Sequence, residues 1–89
     1  MRQFLRGDMV YISDTMPDSM SHFAHGCYAI VDGNYNDLCH GNAKWGLNDY
    51  RLFIPSIRGT SSWYRGELLT FKHRFTEAQY NRILRRLKT

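Results

Sequence analysis

Two cysteines and four histidines are the side chains of this 89-residue chain best suited to metal or nucleophilic chemistry. His22, His25, Cys27, Cys39 and His40 are the right residue types for zinc. Their spacing is not that of a zinc site, because there is no Cys-x-x-Cys pair and no His-x-x-x-His pair. Cys27 also stands against the apolar run Tyr28-Ala29-Ile30-Val31, which reads as a strand with a buried structural thiol. Ser13, Ser19, Ser21, Ser61 and Ser62 supply hydroxyls, and a cysteine with a histidine supplies a nucleophile and a base. Such residue types are common in any chain. No nucleophile elbow, P-loop or glycine-rich dinucleotide turn accompanies them. The sequence therefore reads as non-enzymatic, with no catalytic residue, metal or cofactor expected.

Binding chemistry is better represented. Aromatic residues make up 15% of the chain, and aromatics dominate the energetics of interfaces. Trp63 and Tyr64, with Tyr50 and Tyr11, are candidates for an exposed aromatic shelf; the alternative is that they fill the core of a small domain. The second candidate is cationic. Residues 72–88 hold Lys72, Arg74, Arg82, Arg85, Arg86 and Lys88 against Glu77 alone, while residues 1–71 hold six cations against seven acids. The body is nearly neutral and the C-terminal part is basic. Those six cations could meet phosphates of nucleic acid or an acidic partner; the alternative is a solvated helix face that aids solubility.

The elements that must position these residues follow from pattern. Eighty-nine residues make one domain. Met9 to Ile12 alternates as a strand does, Cys27 to Val31 is the clearest strand, and Tyr50 to Ile54 is a third, stopped by Pro55. Ser61 to Tyr64 and Leu68 to Lys72 are two more. Residues 13–25 and 34–48 read as long loops, with Asp32-Gly33-Asn34 as a turn. Thr76-Glu77-Ala78-Gln79 has the form of a capping box. After it Tyr80, Ile83, Leu84 and Leu87 recur at helical spacing, so a helix of about three turns lays that stripe on the barrel or on a partner. No apolar run approaches the roughly 20 residues needed to cross a bilayer. Without an export signal, the cytoplasm is the expected compartment.

Five short strands joined by long loops and tight turns suggest a small closed barrel. The pieces Phe4-x-x-Gly7-Asp8-x-Val10-x-Ile12, Gly26-x-x-Ala29-x-Val31, Tyr50-x-Leu52-x-Ile54, Ser62-Trp63-Tyr64 and Leu68 together resemble an SH3-like barrel. They are similar to small SH3-like barrel proteins carried by phages and other bacterial mobile elements, a group associated with a Met-Pro-x-Ser-Met-Ser-His-Phe loop, here Met16 to Phe23. The resemblance covers residues 4–71. It implies a mainly β fold, with a five-stranded barrel over residues 1–72 and a basic amphipathic helix over 76–88. It also implies a mobile-element setting, in which a stoichiometric protein-binding inhibitor of a host system, such as an anti-CRISPR or other anti-defence protein, is expected. Met16, Met20, His22, Phe23, Trp63 and Tyr64 would then contact a host protein. The alternatives are a nucleic-acid-binding module that uses the basic helix, and a small assembly protein that self-associates through Tyr80, Ile83, Leu84 and Leu87.

Overall fold

The computed structural model describes residues 3–13 and 26–88. Among them are five strands, β1 (Asp8–Ile12), β2 (Tyr28–Asn34), β3 (Asp49–Ile54), β4 (Gly59–Arg65) and β5 (Leu69–Arg74), and two α-helices, α1 (Tyr35–Cys39) and α2 (Glu77–Lys88). Short 3-10 turns span Trp45–Leu47, Pro55–Ile57 and Gly66–Leu68. The strands form one antiparallel sheet in the order β4-β3-β2-β1-β5.

Successive side chains on a strand point to opposite faces, and here both faces of the central strands are covered. Val10, Ile12, Ala29, Val31, Tyr50, Leu52, Ile54, Tyr64 and Leu69 point inward and gather with Phe4 into one buried cluster. All five strands contribute to it. On the outer face Ile30 and Phe53 pack with Tyr80, and Phe75, Ile83, Leu84 and Leu87 close around them. This explains the unbroken apolar runs Ala29-Ile30-Val31 and Leu52-Phe53-Ile54: a strand covered on both sides has no polar face to alternate with. Each fully buried aliphatic or aromatic side chain contributes about 1.5–3 kcal/mol. The helical stripe is thus engaged within the chain. Tyr80 is fully buried, which removes it from the self-association surface expected of Tyr80, Ile83, Leu84 and Leu87.

The start of α2 has the predicted capping box. Gln79 N donates to Thr76 Oγ1 at 3.1 Å, and Thr76 N donates to Gln79 Oε1 at 2.9 Å. Two expectations need correction. Asp32-Gly33-Asn34 is not a turn, because β2 continues through it with a bulge at which Asp32 is the extra residue between Val31 and Gly33. Residues 34–48 are not a plain loop either. Asn34 caps α1, accepting from Asp37 N at 2.8 Å, and the same preference for turns that marks asparagine in a sequence also makes it a good helix N-cap. The long loop expected over 13–25 falls outside the described residues from position 14 onward.

Two polar anchors fix the N-terminal segment to the sheet. The Tyr50 hydroxyl is buried, accepts from Gln3 N (2.7 Å) and Phe4 N (2.9 Å), and donates to Asn48 Oδ1 (2.9 Å). The Asp8 carboxylate, also buried, accepts from Leu5 N at 3.0 Å and from Arg74 Nε and Nη2 at 2.6 and 3.0 Å. Between them Gly7 takes φ +96°, and a Cβ there would lie 2.8 Å from the Phe75 carbonyl oxygen. Only glycine fits that approach. Edge strand β5 bulges at Lys72: Phe71 faces Val10 while His73 faces Met9. A bulge and cations on an edge strand both discourage pairing with another chain.

Candidate binding face

The first turn of α1 places Tyr35, and the 3-10 turn at Trp45–Leu47 places Trp45 beside it. Asn36 Nδ2 donates to the Ala43 carbonyl at 2.8 Å, and Asn34 Nδ2 donates to the Leu47 carbonyl at 3.3 Å, which draws the two segments together. Gly46 sits so close that a Cβ would lie 2.2 Å from Asn36 Oδ1 and 3.0 Å from the Tyr35 ring. The Trp45 and Tyr35 rings are 4.5 Å apart at their centroids, tilted at 45°. Trp63 of β4 meets Tyr35 edge-on at 5.2 Å. Three rings therefore form one platform, with Trp45 57% exposed at its outer end and Tyr35 and Trp63 half-buried beneath. Both tryptophans of the chain are in it.

An open groove of about 410 Å³ runs beside Trp45, lined by Asn48, Asp49, Arg65 and Glu67. Arg65 Nη1 lies 3.7 Å from Glu67 Oε1. Burial pushes the Asp49 carboxyl above its ordinary value, Arg65 pulls it partly back and Glu67 adds to the rise. The rim is of mixed charge, with two acids against one arginine.

Next to the platform lies an ion cluster. Trp63 is paired across the strands with Arg51. Arg51 Nε and Nη2 donate to Asp32 Oδ2 at 3.0 and 2.8 Å. Arg6 Nη1 donates to Asp32 Oδ1 at 2.6 Å and to the Asp32 carbonyl at 3.0 Å. The Tyr80 hydroxyl of α2 donates to Asp32 Oδ1 at 3.1 Å, and the Arg6 guanidinium lies over the Tyr80 ring, 4.6 Å from its centroid. Burial alone would push the Asp32 carboxyl up. The hydrogen bonds from Arg51 and Tyr80 and the charges of Arg51 and Arg6 outweigh it and hold the carboxyl below its ordinary value. Burial, then the neighbouring carboxylate, push the Tyr80 hydroxyl well above the ordinary tyrosine range. The cluster is a structural tie between sheet and helix.

The predicted site residues are distributed as follows. Trp63 is in the platform. Tyr64 is not: it is 1% exposed in the inner core, as is fully buried Tyr50, because neighbours on a strand face opposite sides and Tyr64 must point away from Trp63. Tyr11 pairs instead with Tyr28 at 5.2 Å, beneath Lys72 Nζ 6.0 Å from the ring centroid. The expected four-residue shelf is thus replaced by Tyr35, Trp45 and Trp63. Arg74 does not serve as a free cation, being bound to buried Asp8. Arg82, Arg85 and Arg86 are exposed on α2. Met16, Met20, His22 and Phe23 lie outside the described residues, as does the Lys88 side chain. Cys27 is partly buried against the core, and burial raises its thiol. A second open groove, of about 600 Å³, is lined by Gln3, Phe4, Leu69, Thr70, Phe71 and Arg74 at the β5 edge.

Trp45 and Tyr35 escape the sequence reading. A large aromatic in the asparagine- and glycine-rich stretch 34–48 was the available signal, since such a stretch offers no core for it. No helix among the described residues is long and apolar enough to cross a membrane. No protein-family model, no curated protein and no solved structure matches the chain.

Proposed function

We propose that this chain is a small, non-catalytic protein-binding module whose sheet closes as an SH3-like barrel and whose partner docks on the platform of Trp45, Tyr35 and Trp63. The closure is supported by the strand order and by the single inner cluster to which all five strands contribute. The docking site rests on one observation: a tryptophan more than half exposed, braced by two further rings and bordered by a groove of mixed charge. Rigid aromatic anchors with a polar rim are what protein interfaces use. A nucleic-acid stacking site would also use such rings, but the groove beside them carries Asp49 and Glu67 against Arg65, which disfavours a phosphate there. In the mobile-element setting implied by the resemblance, such a module acts as a stoichiometric inhibitor of a host system, for example a CRISPR effector.

The test is a tagged pull-down from bacterial lysate, with and without nuclease treatment, using the wild-type chain, Trp45→Ala and Phe71→Ala. Phe71 is an exposed aromatic on β5, at the opposite end of the strand order from β4, and controls for general stickiness. A protein captured by the wild type and by Phe71→Ala, and lost with Trp45→Ala, supports the reading. Capture that survives Trp45→Ala, or recovery of nucleic acid alone without nuclease, rejects it.

A further inference from the structure

The inner cluster takes Tyr50, Leu52, Ile54 and Tyr64, so Arg51, Phe53 and Trp63 must lie on the outer face. Helix α2 covers Phe53 on that same face. The platform and the helix are therefore neighbours on one side of the sheet. From Ile30, under the helix, to Asn34, where α1 begins, is four residues, or about 13 Å along the strand. The Asp32 cluster lies between, joining Arg51 beside Trp63 to Tyr80 of α2.

The charges on this face are arranged unequally. Arg6, Arg51, Arg65 and Arg74 each have a carboxylate partner. Arg82 and Arg85 of α2 are exposed and have no ion-pair partner among the described residues. The only acid of α2, Glu77, is at its first turn and lies 3.7 Å from Arg6. Arg82 and Arg85 thus stand as exposed cations on the side of the sheet that also exposes Trp45.

We infer that the platform and the outer surface of α2 form one continuous docking face, and that the partner is an acidic protein surface that sets an apolar side chain on Trp45 and carboxylates against Arg82 and Arg85. This rests on the platform reading above and adds the partner's charge and the helix's part in holding it. An interface of this kind combines an aromatic anchor with electrostatic steering. The acids at the platform groove disfavour any anion beside the rings, so the partner's apolar side chain falls on Trp45 and its carboxylates fall on the helix arginines.

The probe pair is two short synthetic peptides without tryptophan, one alternating Glu with Leu and Phe, the other Lys with Leu and Phe, beside oligo-dT. Binding is read from the emission of Trp45 and Trp63, which reports the platform directly, and from peptide anisotropy. The expected result is that the Glu peptide binds and shifts the tryptophan emission, while the Lys peptide does not. Arg82→Glu with Arg85→Glu weakens the Glu peptide by at least about tenfold, and raising salt from about 50 to about 200 mM weakens it in the wild type more than in that variant. Circular dichroism of the charge variant checks that α2 is intact, as exposed positions allow. Full binding by the charge variant, with loss on Trp45→Ala, overturns the joint face and leaves the platform reading standing. Binding untouched by Trp45→Ala overturns both. No binding of the Glu peptide, or tighter binding of oligo-dT through the same residues, overturns the acidic-protein partner.

Discussion

Replacing Asp32 by Asn should loosen the helix from the sheet. Its carboxylate accepts four hydrogen bonds from three side chains: two from Arg51, at 3.0 and 2.8 Å, one from Arg6 at 2.6 Å and one from the buried Tyr80 hydroxyl at 3.1 Å. A hydrogen bond to a charged group contributes about 1.5–3 kcal/mol. Breaking a wholly buried pair costs about 3–5 kcal/mol, but Arg6 and Arg51 are 37% and 38% exposed in their side chains, so water recovers part of the loss. The amide still accepts one bond from Tyr80. The net loss is about 2–3 kcal/mol, a large share of a small domain's stability. With a urea m-value of about 1 kcal/mol/M for a chain this short, the unfolding midpoint falls by about 2–3 M. The assay is urea unfolding followed at 222 nm for α2 and by tryptophan emission for the platform. The pH dependence has a definite sign. The folded Asp32 carboxyl lies below its ordinary value of 3.8, so its contribution is complete above that pH and is lost as the pH falls through the folded value. The gap between wild type and Asp32→Asn therefore closes in strong acid. A midpoint change at neutral pH below about 0.5 M would refute the reasoning, since surface substitutions alone give that much.

Three further substitutions probe other parts of the fold. Tyr50→Phe strips the partner from Gln3 N and Phe4 N and should cost about 1–3 kcal/mol by thermal or urea unfolding. Thr76→Ala removes half of the capping box and should cost about 1 kcal/mol, read most directly as fraying of α2 by amide exchange. Gly46→Ala drives a methyl into Asn36 and Tyr35, costs about 1–3 kcal/mol, and should change the near-ultraviolet dichroism of the Trp45–Tyr35 pair; an unaltered spectrum would mean the turn does not brace the platform.

The parts of this structure that are local are the parts that pattern reveals. The five strands fall where alternation and apolar runs put them, with ends moved by one to three residues. Thr76 to Gln79 caps α2 as its spacing says. The long-range parts are different. Nothing in the run Val31-Asp32-Gly33 distinguishes a turn from a bulge whose aspartate is buried, because the arginines that justify burial stand at positions 6 and 51. Arg74 reads as one of six C-terminal cations, but its partner is Asp8, 66 residues away. Tyr64 could have been assigned inward from alternation once Trp63 was placed outward. Trp45 is legible as an aromatic without a core, but its bracing by Tyr35 is not, since only the three-dimensional course of the chain brings the two rings together.

The helix has a consequence for how the chain comes to be folded. β1 pairs with β5, and Arg6 reaches Asn81 across 75 residues, so the contacts that complete the sheet join the two ends of the sequence. Such non-local topology slows folding. During synthesis β2 and β3 are made long before α2, and until α2 arrives their outer apolar residues, Ile30 and Phe53, are open to neighbouring chains. The helix is then as much a late-arriving guard against aggregation as a carrier of charge, and chains cut before Thr76 should collect in the insoluble fraction while full-length chains do not.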